Sequence, residues 1–147
     1  MQPTLIKRPY RQRQNLIYGN SGDSMQRDWY VVFEETEITR WYHRYLKTSY
    51  SHCYCVYETS GNWIAIHPHW SHTEIDISPL TTFPTIRDYA GIKARVIAYT
   101  SDIDPLKHCC TLGIMTCVDV VKRHLGIRAQ FVFTPYQLYI YLRNHHG

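Results

Sequence analysis

Two short runs of strand-forming residues, 52–57 (HCYCVY) and 63–67 (WIAIH), flank Thr59-Ser60-Gly61-Asn62, and this arrangement restricts the fold more than any other feature of the chain. Ser, Gly and Asn suit the left-handed backbone of a tight antiparallel turn, while aromatic and β-branched flanks suit a pleated surface. A hairpin closed by a Thr59–Asn62 pair sets Tyr54 opposite His67 and His52 opposite His69. Directly opposed side chains share a sheet face. His52, His67 and His69 are therefore expected to converge, with Cys53 and Cys55 on the other face. A slip of one residue would reverse the pattern.

The rest of the chain reads as a mixture of strands and helices. Residues 28–35 (DWYVVFEE) form a strand by composition, and 73–77 alternate as a further strand of the sheet. Thr39 suits a helix N-cap, with Trp41, Tyr42, Tyr45 and Leu46 at helical spacing and an end near Lys47. Residues 86–90 form a short helix stopped by Gly91, and 93–99 (KARVIAY) another strand. Thr116 is positioned to cap a helix that begins at Cys117 and stops at Gly126. Asp119, three residues past the cap, can return a capping bond. Residues 128–133 (RAQFVF) are expected to be a strand, and Thr134-Pro135 to open a last helix over 136–142. The expected class is α+β, with an antiparallel sheet packed against the Cys117 helix.

At 147 residues and 44% hydrophobic, the chain suits one domain with a substantial core. Residues 1–27 are polar and carry Lys7, Arg8, Arg11 and Arg13 with no acid before residue 14. They read as a basic arm ahead of a domain spanning 28–147, suited to docking on an acidic neighbour. A net charge of +4 is too modest for a dedicated nucleic-acid binder, and no reading motif accompanies it. No apolar run approaches the roughly 20 residues that span a bilayer, and the basic start leads into no secretory leader. The five cysteines match no secreted disulfide framework and are expected to stay reduced, which points to synthesis in the cytoplasm.

Cys117 carries the chemistry. A helix N-terminus presents unpaired N–H groups and the positive end of the dipole, which favour a thiolate, and the thiolate is the nucleophile. Such a thiolate needs an imidazole to hold the ion pair and protonate a leaving group. Of the nine histidines, His145 and His146 are terminal, and His43 and His124 fall in helices, so the hairpin group and His108 remain. Converging histidines also raise a metal reading, with His67, His69 and His72 beside Cys53 or Cys55. That set matches no familiar structural zinc spacing, so no metal or other cofactor is expected.

Three segments, 41–54 (WYHRYLKTSYSHCY), 63–74 (WIAIHPHWSHTE) and 116–142 (TCVDVVKRHLGI, then TPYQLYIYL), resemble small bacteriophage and prophage proteins. Those proteins are similar to circularly permuted relatives of the NlpC-type peptidoglycan peptidases and of lecithin retinol acyltransferase. The resemblance covers roughly residues 28–143. It implies a permuted papain-like fold, in which the histidine strand precedes the cysteine helix, with Cys117 as nucleophile and His52 as base. The third catalytic position falls on His67, where an acidic residue before Pro68 is the commoner pattern, and His69 stays open as the alternative. The implied activity is that of a thiol hydrolase or acyl-transfer enzyme acting on peptidoglycan or another peptide. The competing expectation is a non-catalytic virion protein of the neck or tail, binding phage structural proteins through residues 1–27.

Overall fold

The computed structural model describes residues 25–35, 46–47, 49–69, 71–103 and 116–145. Residues 39–45 of the expected helix, all but the last three residues of the expected arm, and His43, His108, Cys109, Cys110 and His146 lie outside them, while 46–47, where that helix is expected to end, are not helical.

Five strands form one antiparallel sheet: β1 (Met25–Glu34), β2 (His52–Thr59), β3 (Asn62–Pro68), β4 (Thr73–Pro79) and β5 (Arg95–Ile103). Their spatial order is β4-β3-β2-β1-β5. β1 begins at Met25, so residues 25–27, polar enough to be read as the end of the arm, belong to the sheet through their pairing with β5. The β2–β3 hairpin has the register that its turn chemistry predicts, from Thr59↔Asn62 to Cys55↔Ile66. Its two loop residues, Ser60 and Gly61, have φ of 50° and 76°. Positive φ at both positions is what a two-residue turn matched to the strand twist requires.

Alternation along the strands gives the sheet two apolar faces. Trp29, Val31, Phe33, Cys53, Cys55 and Ile66 point to one, where they meet Val118, Val121 and Leu125 of α2 (Cys117–Leu125) and Leu138 and Leu142 of α3 (Pro135–His145). Val32, Tyr54, Val56, Trp63 and Ala65 point to the other, under Phe83 and the short helix α1 (Ile86–Ala90). Trp63 satisfies its indole N–H by donating to the Phe83 carbonyl at 2.6 Å. Part of the chain's tyrosine content is structural: Tyr50, Tyr136 and Tyr139 pack edge-on or tilted beside Phe33, where α3 meets the sheet.

α2 starts and stops where its caps dictate. Thr116 Oγ1 accepts from the Asp119 N–H at 3.2 Å. Asp119 does return a bond, but it accepts from the Thr116 hydroxyl at 3.1 Å and pairs with Lys122. The full reciprocal box belongs to α1, where Thr85 and Asp88 exchange bonds. Gly126 takes the left-handed conformation, with its N–H directed to Arg123 and that of Ile127 to Lys122, which closes the carbonyl end.

The expected strand over 128–133 is not formed; the segment is irregular and turns at 130–131. Lys122 explains this. Its ammonium reaches back from α2 and donates to the carbonyls of Ala129 (3.1 Å) and Val132 (2.9 Å), acceptors that a ladder would otherwise use. The strand-like residues Phe131 and Phe133 are left outside, 82% and 62% exposed.

Candidate active site

Cys117 is the first residue of α2, directly after its N-cap, and Val118 behind it is fully buried against the sheet. The helix is thereby fixed with its thiol at the end of β2. The sulfur lies within hydrogen-bonding reach of the Cys53 side chain, the His52 imidazole and the Cys53 backbone N–H. These contacts, that of the Cys53 thiol first, hold the Cys117 thiol well below the ordinary cysteine range despite its burial. Cys53 shows the reverse: burial first, and then the neighbouring Cys117, push it well above that range. The assignment of charge within the pair follows from position. Cys53 is wholly enclosed in mid-sheet, whereas Cys117 is only partly enclosed and has the helix N-terminus and an imidazole beside it. Of the pair, Cys117 is the thiol that its position favours as thiolate, with the Cys53 S–H placed to donate to it. Cys55, on the same face, is fully buried and pushed up to about 12 by burial. All three are free thiols.

His52 is the first residue of β2 and only partly buried. Strand alternation assigns it to the face of Tyr54, opposite α2. It reaches the Cys117 sulfur because it stands at the strand's end, beside the helix start. Its register partner is Glu34, the last residue of β1. Burial raises the Glu34 carboxyl, and the His52 charge opposes that rise. Glu34 is thus the carboxylate that faces the imidazole. It was not singled out from sequence, because only the β1–β2 register brings it there.

His67 lies on the same face, tilted over Tyr54 with ring centroids 4.1 Å apart. Its pKa is lowered, by burial first and then by the His52 charge, against the pull of Asp76 and Glu74. His52 is thus the common neighbour of Cys117 on one side and of His67 on the other, with Glu34 beside it. Asp76 completes the polar row, accepting from Tyr89 Oη at 2.7 Å and Ser78 Oγ at 3.0 Å.

His69 leaves this row. Pro68 has no N–H to extend the ladder, and the His69 N–H donates instead to the His72 carbonyl at 2.8 Å, which closes a turn. Of the three expected histidines, His52 and His67 stay on paired strands, while His69 sits past the end of β3, still close enough for its charge to lower the His67 pKa. The metal set read from sequence changes with it. Among the described residues, the group able to share an ion is His69, His72 and Glu74, without His67 or either strand cysteine.

Among the described residues, no helix is long and apolar enough to cross a membrane. No protein-family model, curated protein or solved structure matches the chain.

Proposed function

We propose that this chain is a cysteine hydrolase or acyl-transfer enzyme on a circularly permuted papain-like fold. The observation that carries the reading is the thiol of Cys117, at a helix start, held low by its contacts with Cys53 and His52. The chain order supports the permuted arrangement, since the histidine strand β2 precedes the cysteine helix α2 packed on the same sheet.

In this reading the Cys117 thiolate attacks an amide or ester carbonyl carbon, and the carbonyl electron pair moves onto oxygen. Thr116 Oγ1 occupies the Asp119 N–H and the Thr116 carbonyl the Val120 N–H. The N–H groups of Cys117 and Val118, ahead of these in the first turn, would stabilise the oxyanion. Protonated His52 gives its proton to the leaving group as the carbon–nitrogen or carbon–oxygen bond breaks, leaving a thioester on Cys117. His52 then takes a proton from water, the resulting hydroxide displaces the thiolate, and the acid product leaves. Glu34 or His67 orients the imidazole, as the third member of a triad does. The proposed substrate class, peptide cross-links of peptidoglycan, rests on the resemblance to phage proteins alone.

Alkylation of the reduced protein with iodoacetamide tests the reading. Cys117 should react selectively near neutral pH, faster than an ordinary thiol, and His52→Ala should slow it. Reaction at the rate of an ordinary thiol, unchanged by His52→Ala, would instead favour the non-catalytic virion protein.

A further inference from the structure

The turn between β3 and β4 gathers two imidazoles and a carboxylate outside the Cys117 site. His69, His72 and Glu74 are all exposed, and one ligand atom from each lies within 4.8 Å of the other two. Their backbone positions are fixed by the Pro68↔Thr73 pair and by the His69 N–H bond to the His72 carbonyl. The two rings stack with centroids 4.9 Å apart and planes 25° from parallel. His69 Nε2 is 3.1 Å from Glu74 Oε2. That separation already suits neighbouring ligands of a tetrahedral ion, which sit about 3.3 Å apart when metal–ligand bonds are 2.0–2.1 Å. His72 offers its ring nitrogen within 4.8 Å of both of these atoms. Ser71 Oγ lies 3.1 Å from His72 Nδ1 and can serve as the outer partner that fixes a ligating imidazole.

We infer that His69, His72 and Glu74 form a binding site for a first-row divalent transition-metal ion, of the zinc type, with water completing the coordination. Two imidazoles and one carboxylate select zinc, cobalt, nickel or copper over magnesium and calcium, which prefer all-oxygen sets. An ion pair alone accounts poorly for the arrangement. The His69 and Glu74 side chains are 45% and 61% exposed, so their attraction is largely screened, and it gives no role to the second imidazole stacked on the first.

The test is a metal titration of the reduced full-length protein, with Zn2+ affinity read by competition with a chromophoric chelator and Co2+ binding read by visible absorption. The site should bind Zn2+ at micromolar or lower concentration. Co2+ should give ligand-field bands without thiolate-to-metal charge transfer. His69→Ala and His72→Ala should each weaken Zn2+ by at least about tenfold, and Glu74→Gln should weaken it as well, while Cys117→Ser leaves it unchanged. Circular dichroism identical to wild type would show that the variants, altered at the exposed turn or, for Glu74, at the exposed start of β4, remain folded. Affinity that survives both histidine substitutions, a thiolate band in the cobalt spectrum, or no Zn2+ binding at micromolar concentration would overturn the assignment.

Discussion

Glu34 and His52 oppose each other as the final register pair of the β1–β2 ladder, which sets a part-buried carboxyl beside the imidazole that reaches Cys117. In the proposed mechanism, a carboxylate in that place would fix the tautomer and orientation of the base and stabilise the imidazolium that forms during acyl transfer. Glu34→Gln keeps the shape and removes the charge. It should lower kcat by about 10²–10⁴-fold with little change in KM and leave the fold intact. Turnover equal to wild type would pass the orienting role to His67.

The Cys53 thiol is the foremost contact holding the Cys117 thiol low. Cys53→Ala removes that donor and should raise the Cys117 pKa, moving the pH dependence of its alkylation toward that of a free thiol near 8.5. Cys53→Ser retains an O–H donor and should restore most of the wild-type profile. Identical profiles for wild type and Cys53→Ala would show that the contact does not stabilise the thiolate.

His67 gives a pH dependence of stability. Its folded pKa lies below the unfolded value of about 6.5, so the unfolded chain takes up its proton first as pH falls. Its contribution is favourable above about pH 6.5 and is lost as pH drops from there toward the folded pKa. His67→Gln should therefore lose less stability than wild type between about pH 7.5 and 5.5, measured by urea unfolding at each pH. Parallel losses in the two proteins would contradict the burial argument.

Lys122 holds the 127–134 segment by its two carbonyl bonds, and its side chain is only 11% exposed. Lys122→Met keeps most of the aliphatic stem and removes the donors. It should cost about 1–3 kcal/mol of unfolding free energy. Wild-type stability in urea would mean that other groups satisfy those carbonyls.

What could be read from sequence and what could not divide along local against long-range causes. The β2–β3 hairpin was legible because Ser60-Gly61 determines the turn, and the turn determines the register. The start of α2 at Cys117 was legible because Thr116 and Gly126 bracket it. The strand expected over 128–133 failed because a lysine several residues earlier claims its carbonyls, a contact no local pattern records. Glu34 was missed because its place beside His52 depends on how β1 aligns with β2, across a stretch of chain with no turn signal to set it. His69 falls past the strand because Pro68 ends the ladder and the next residue closes a turn with His72, yet it stays near enough to His67 for its charge to act there.

The central claim, a Cys117 thiolate supported by His52, is tested most directly by following thiolate ultraviolet absorbance against pH in wild type, Cys117→Ser and His52→Ala. Wild type should show one thiolate forming well below the free-cysteine value of about 8.5. That transition should be absent in Cys117→Ser and shifted upward in His52→Ala. A wild-type titration with no thiolate below that value, or one that Cys117→Ser leaves in place, would contradict the account.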